Sequence, residues 1–316
     1  MILKKIFSFF IKILLSKLIN NFLKKINFVI VFRNGSAIGD HVYMSCVLRE
    51  IFFLKKKIIL FTNYYDLYLN NPRIYRLFKV GKKNFIWFFL QNLKGKSILE
   101  FHSIYATKEN HELKRKNFMA FHKKKHLAEA MSEHFNLNLN YNKLQNEIYF
   151  AKEEISKYEN EMNLPTKFSL IQSVSKNSFT ENKEWSLMGM QNIVNHFNKI
   201  NWIQIGLSSE PKLDNCSNYL DLDLRGTSYL IYKCQFLVTY EGLFNHIASC
   251  FKKKNFLIHT GFLHKEAFFY PNNIVIENNK KMNCYPCYSL NCKDHRIRSQ
   301  KNLTTEFVVK KIRKNI

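Results

Sequence analysis

Apolar residues along this chain follow two patterns that take turns. Short unbroken runs, rich in β-branched and aromatic residues, give way to stretches where apolar positions recur every three or four residues. Phe28–Phe32 is one such run, and from His41 onward Val42, Cys46, Val47 and Ile51 keep helical spacing. The runs read as buried strands and the spaced stretches as helices. Between them, Arg33 to Asp40 is broken by Gly35 and Gly39, which predicts a tight glycine loop leading into a helix with Asp40 in its first turn. Lys57–Phe61 and Lys96–Phe101 read as further strands.

The pattern restarts past the middle. Residues 150–166 are the most acidic part of the chain and contain Pro165, which marks a domain boundary. Beyond it Phe168–Gln172, Trp202–Gly206, Phe236–Thr239 and Asn255–Ile258 read as strands, and Met188–Asn198 as a helix. Two α/β series predict two Rossmann-like domains, 27–160 and 161–316, facing each other across a cleft. Ligands bind such sheets at the carboxyl ends of the strands, which is where Asp40 falls. Adjacent amides and the helix dipole would keep its carboxylate ionised; the structural alternative is an ordinary N-cap. The loop lacks the Gly-Lys-Ser/Thr ending of a phosphate loop and the spacing of the dinucleotide fingerprint.

Residues 1–26 are apolar and basic, with no acid. Lysines at 4, 5, 12, 17, 24 and 25 interrupt every apolar run, so none reaches the roughly 18 residues of a membrane span. An unbroken apolar core and a small-residue cleavage site, the marks of a signal peptide, are missing. The stretch predicts a helix lying in a membrane interface, with packing on the protein's own surface as the alternative.

Composition changes this picture in one respect. With 46% hydrophobic residues, 9 Gly and 5 Pro in 316 residues, the chain is a folded protein of two ordinary domains. Its 49 Lys+Arg against 24 Asp+Glu favour anionic partners. The same Lys, Asn, Ile and Phe saturation would follow from a skewed codon supply, so charge alone does not imply nucleic-acid binding. An RNA-binding reading would also require exposed aromatics among the basic residues, whereas most Phe sit in strand-like or helical apolar positions. No nucleic-acid partner is expected. The basic, histidine-containing stretch 108–126 reads as a solvated helix face or the lining of an acceptor groove. Cys46, Cys216, Cys234 and Cys250 stand singly, as buried thiols in a reducing compartment do.

Several short elements then line up in order: RNGSAIGD at 33–40, NKEW at 182–185, QIG at 204–206, LDLRGTSYL at 222–230, YEGLFNHIA at 240–248 and CYPC at 284–287. Over about residues 28–314 this resembles glycosyltransferase family 9, the ADP-heptose:lipopolysaccharide heptosyltransferases. The resemblance implies a GT-B fold, with the acceptor on the N-terminal domain and the nucleotide sugar on the C-terminal one. It places the family's aspartate on Asp40, as general base, and its lysine on Lys183, neutralising the departing diphosphate. Arg33 and Gly39 fall on the acceptor side, and Gly206, Glu241, Gly242 and His246 on the donor side. The family's Asp-Ser-Gly-Pro-Met-His element is altered here, with Glu241 for the acid and no proline. His246 also reads as a satisfied core histidine.

Cys284, Cys287, Cys292 and His295 have a spacing that could hold structural zinc or iron, while catalysis by such an enzyme needs no metal. The implied protein is an inverting, heptosyltransferase-like enzyme of cell-envelope lipopolysaccharide biosynthesis. Its expected partners are a nucleotide sugar, ADP-heptose first, an anionic lipid-linked glycan acceptor and the inner-membrane surface. Its expected place is the cytoplasmic side of the bacterial inner membrane, peripherally bound. The alternative is a catalytically inactive relative that only binds a glycan or nucleotide sugar.

Overall fold

A computed structural model describes residues 2–33, 37–80, 95, 97–101, 125–134, 136–175, 180–277, 284–287, 289 and 292–316. Gly35 and the basic stretch 108–124 lie outside these residues. The chain divides into two compact units. Tyr141–Ile316 with Lys125 and His126 make the second, and the other described residues up to Asn140 make the first.

In the first unit, β1 (Phe28–Arg33), β2 (Lys57–Thr62), β3 (Ile74–Lys79) and β4 (Ile98–Phe101) form a parallel sheet in the order β3-β2-β1-β4. Helix α2 (Ile38–Phe53) connects β1 to β2 and meets α3 (Leu127–His134). Helix α1 (Ile2–Lys25) is a true helix, and its second half docks on the sheet. Leu15, Ile19 and Leu23 join Ile30, Phe32, Phe61 and Ile98 in one cluster, and the Asn20 Oδ1 accepts from the Ser97 N–H at 2.7 Å. The N-terminal stretch is therefore part of the first unit's core, because its turns supply the apolar cover that one sheet face needs. No helix among the described residues is long and apolar enough to cross a membrane.

The second unit carries six parallel strands: β5 (Ser169–Gln172), β6 (Trp202–Gly206), β7 (Ser217–Leu220), β8 (Phe236–Tyr240), β9 (Lys254–Ile258) and β10 (Asn273–Ile276). Their order is β10-β9-β8-β5-β6-β7, the doubly wound arrangement of nucleotide-binding sheets. Between the strands run α5 (Leu187–His196), α6 (Leu224–Lys233) and α7 (Leu243–Cys250), with α8 (Lys293–Asn302) and α9 (Thr305–Arg313) at the end. Ile171, Val238, Phe256 and Ile276 from the sheet pack with Ile193 of α5 and Val308 and Ile312 of α9.

The divide between the units falls near 140, about twenty residues before the boundary expected at 160. The acidic helix α4 (Lys152–Glu161) is the reason. Its Glu154 pairs with Arg225 of α6, whose Nη2 also donates to the Tyr149 carbonyl at 2.7 Å, and Tyr158 stacks on Tyr229 at 4.9 Å. The acids that resembled a linker are partners of α6.

Candidate functional site

In the second sheet the chain winds one way from β5 through β6 to β7, and the other way from β8 through β9 to β10. The carboxyl ends of β5 and β8 thus flank the switch point, where the two connections diverge and leave a crevice.

The segment after β5 is pinned on both sides of Lys183. The Thr180 Oγ1 accepts from the Asn182 N–H at 3.0 Å and starts a short 3-10 turn, Glu181–Lys183. Buried Asn182 donates through Nδ2 to the Ser289 carbonyl at 2.7 Å, and its own carbonyl accepts from the Thr260 hydroxyl at 2.7 Å. Trp185 is buried and donates its indole N–H to the Leu303 carbonyl at 2.6 Å. Lys183 stands between these anchors, its ammonium 2.6 Å from Glu241 Oε1 and 5.4 Å from the Phe262 ring centre. The two side chains are only 17% and 9% exposed, so the charges are largely withdrawn from water and hold each other.

Glu241 follows the last residue of β8, and Gly242 begins α7. At φ +154°, Gly242 sits where a side chain is strained, and a Cβ there would meet nothing within 4 Å. Among the described residues the space beside Gly242 is therefore open, and as the N-cap of α7 it brings no side-chain oxygen to the first amides. Backbone of this kind accepts anions closely. His246, one turn on, is buried instead. Its Nδ1 pairs with the Tyr270 hydroxyl at 2.7 Å, its carbonyl accepts from Asn146 Nδ2 at 3.0 Å, and burial, followed by the nearby Lys183 charge, pulls its pKa down to about 3. The structure thus places His246 among the satisfied core histidines. A ring that stays neutral brings no positive charge to a phosphate.

Gly206 ends β6 at φ +149°, and a Cβ at that position would collide with Glu210 Oε2. Glu210, absent from the sequence reading, folds back over the strand end. Burial raises its pKa, and its Oε2 is buried without a hydrogen-bond partner. The signal available was an acid four residues after a glycine that closes a strand. Glu184 is a second carboxyl with altered protonation, raised to about 7 by burial and by the Glu181 charge.

In the first unit, β1 lies between β2 and β4, and α2 starts just beyond its carboxyl end. The N-cap of α2 is Ala37, which offers no side-chain cap. Asp40 is the third helical residue, its N–H on the Ala37 carbonyl at 3.1 Å. The N-cap alternative for Asp40 is therefore excluded, and its carboxylate stands in the positive field of the first turn. Next to it, His41 is buried, with Nδ1 3.2 Å from the Thr62 hydroxyl and its carbonyl accepting from Tyr68 at 2.6 Å. Gly39 is the second helical residue, and Arg33 is the last residue of β1.

Cys284, Cys287 and His295 bring their ligand atoms within 4.8 Å of one another, a group that could hold a metal ion. Cys284 Sγ lies 3.7 Å from His295 Nδ1. Metal–ligand legs of about 2.3 Å to sulfur and 2.0–2.1 Å to nitrogen, at a tetrahedral angle, would place the two atoms roughly 3.6 Å apart. Cys292 caps α8, its Sγ accepting from the His295 N–H at 3.4 Å. His295 Nε2 is buried with no hydrogen-bond partner. Burial pushes the Cys287 thiol up to about 12. The donor set fits zinc or iron.

No protein-family profile matches the sequence, and no curated protein matches it. Solved structures do. A family 9 glycosyltransferase from Veillonella parvula superposes with a TM-score of 0.64 at 15% identity, over 90% of this chain and 96% of that one. The ADP-heptose lipopolysaccharide heptosyltransferase II of Escherichia coli gives 0.63 at 12%, over 90% and 98%. The fold is that of glycosyltransferase family 9. It is of GT-B type, two Rossmann-like units in one chain. The iron-containing dodecameric heptosyltransferase TibC of enterotoxigenic E. coli, solved with ADP-D-β-D-heptose, gives 0.64 at 11%, over 90% of this chain and 75% of that one.

Proposed function

We propose that this chain is an inverting glycosyltransferase of family 9. It would transfer a sugar, a heptose first, from a nucleotide donor such as ADP-heptose to a lipopolysaccharide-type or other lipid-linked glycan. The observation that carries the reading is the pairing of Lys183 and Glu241 at the switch point of the second sheet, beside the glycine N-cap of α7. A cation beside an open helix start suits a diphosphate, and the fold is one in which nucleotide sugars are handled.

The chemistry follows from the residues. The Asp40 carboxylate takes the proton from an acceptor hydroxyl as that oxygen bonds to the anomeric carbon. The bond from that carbon to the diphosphate oxygen breaks on the opposite face, so the configuration inverts. The leaving nucleoside diphosphate gains negative charge, which the Lys183 ammonium and the α7 amides meet. Glu241 accepts hydroxyls of the donor, and Glu210, its Oε2 without a partner, suits the ribose. Cys284, Cys287 and His295 would hold a structural ion that ties α8 to the 284–287 turn, with no part in the transfer, while Cys292 caps α8. The peripheral placement on the inner membrane, through α1, belongs to the same reading.

Thermal stability against a panel of nucleoside diphosphates and nucleotide sugars tests it. A ligand at about 100 times its dissociation constant adds roughly 2.7 kcal/mol. One nucleotide should raise the Tm, and its sugar should be released or transferred by the wild type. Stabilisation without turnover would make the chain a binding relative; no stabilisation by any nucleotide would remove the donor site altogether.

A further inference from the structure

Helix α1 and the amino-terminal edge of the first sheet leave one surface that the transferase reading does not use. The inner face of α1 is spent on the sheet, yet Leu14, Leu18 and Phe22, spaced four residues apart, are about 60% exposed on its outer side. Two residues beyond the end of α1, the Asn27 carbonyl accepts from the Lys57 N–H at 2.9 Å and its side chain accepts from the Lys56 ammonium at 3.2 Å. The outer stripe thereby runs into a second exposed apolar group at the end of α2, where Phe53 and Leu54 are 58% and 60% exposed.

Cations sit on the rings of this edge. Arg73 lies 5.4 Å from the ring centre of Phe52 and 5.1 Å from that of Phe53, and Lys57 lies 5.5 Å from Phe28 and 5.3 Å from Tyr75. Residues 1–80 hold fourteen Lys/Arg and three acids, and one of those acids, Glu50, already pairs with Arg49. The edge is formed where β1, β2 and β3 begin, the opposite end of the strands from Asp40. A partner seated here leaves the carboxyl edge open.

We infer that the α1 outer face and the Phe52–Lys57 corner form a single docking surface for an anionic lipid bilayer. Aromatic and aliphatic side chains would enter the headgroup boundary, and the lysines and arginines would meet lipid phosphates. Charge complementarity selects the occupant. A second copy of this chain would set like charge against like, and the rings of the corner are already faced by Arg73 and Lys57, which leaves less of them for RNA bases to stack on. The inference rests on the peripheral placement of α1 and extends it to α2, and it is independent of the donor site.

The test is sedimentation of the full chain with phosphatidylcholine vesicles, with and without phosphatidylglycerol. Three proteins are compared: wild type, Phe53→Ser with Leu54→Ser, and Leu18→Ser with Phe22→Ser. All four positions are exposed, so the fold should survive, and an unchanged Tm confirms it. Wild type should bind only the anionic vesicles, less so at high salt, and each double variant should lose binding on the order of ten-fold. Undiminished binding by the Phe53/Leu54 variant would confine the contact to α1 and overturn the proposal. So would a wild type that ignores anionic vesicles but shifts arbitrary RNA, or one that sediments as a dimer broken by either variant. A failed nucleotide titration would touch none of these outcomes.

Discussion

The two sheets solve the same topological problem with different chemistry. Around the strand that follows each unit's entry, the order is the same: β3-β2-β1-β4 in the first and β7-β6-β5-β8 in the second. Each therefore has a switch point beside β1 or β5. The first puts an acid, Asp40, in the opening turn of a helix whose cap has no side-chain oxygen. The second puts a cation, Lys183, against Glu241 with both side chains mostly buried. In the proposed reaction the first arrangement supplies the carboxylate that takes the proton, and the second supplies the ammonium that meets the diphosphate. Shared topology fixes where the crevice lies, and the few residues after each strand decide what it can do.

The largest expected effect separates those roles. Asp40→Asn keeps the size and position of the side chain while removing its basicity. Transfer should fall by about two to four orders of magnitude. The nucleotide-induced rise in Tm should stay as in wild type, because the groups proposed to bind the donor are on the second unit. Equal loss of both would mean that the two sites do not divide the work as described.

Next comes an acid-sensitive feature found in the second unit. Burial alone would raise the Glu277 pKa, but hydrogen bonds from His259 at 3.0 Å and Lys265 at 2.6 Å outweigh it and bring it to about 2. A depressed carboxyl contributes stability above its unfolded pKa near 4.5, and loses it as the pH falls through 2. With the side chain 24% exposed, solvent screening leaves a contribution on the order of 1–2 kcal/mol at neutral pH. Glu277→Gln should remove most of it at pH 7 and make little difference at pH 2, as read by denaturant unfolding at both values. A constant deficit at all pH values would assign the loss to packing and leave the ion network without weight.

The same contrast explains which parts could be read from the sequence. Strands β1, β2, β5, β6, β8 and β9 were legible because each is a run of apolar residues covered on both faces. Three of the four edge strands, β3, β7 and β10, escaped notice, whereas the fourth, β4, was legible through its Ile98-Leu99 run. IYRLFK of β3 and SNYL of β7 are half or more exposed, so their composition carries no continuous apolar signal. At the site, Lys183 and Glu241 were legible as family positions, but their contact joins residues 58 apart and only the fold shows it. Glu210 was missed because its position depends on the turn after Gly206. His246 carried two readings, and its burial with the hydrogen bond to Tyr270 matches the core one.

A smaller effect probes the ion pair itself. Lys183→Ala should weaken nucleoside diphosphate binding by roughly ten- to hundred-fold, the scale of one charge-assisted contact. Glu241→Gln keeps a hydrogen-bonding side chain but releases the ammonium, so diphosphate binding should hold or tighten while sugar-nucleotide transfer falls. Calorimetric titration with the nucleoside diphosphate and the nucleotide sugar, side by side, reads the difference. If Glu241→Gln weakens both ligands as much as Lys183→Ala does, the pair acts as one structural unit and the sharing argument fails.

The smallest effect concerns what holds Lys183 in place. Trp185 anchors the segment by one hydrogen bond, from its indole N–H to the Leu303 carbonyl, and by a ring packed so tightly on Gly189 that a Cβ there would clash. Trp185→Phe removes the donor and part of the ring. Leaving the Leu303 carbonyl without that partner costs about 1–3 kcal/mol of stability. Asn182, on the other side of Lys183, keeps its bonds to Ser289 and Thr260, so the turn should stay in register. The Tm should drop by a few degrees while nucleotide affinity changes less than about two-fold. A large loss of affinity at that modest loss of stability would mean that the 2.6 Å contact between Lys183 and Glu241 depends on Trp185 more than on the Asn182 turn.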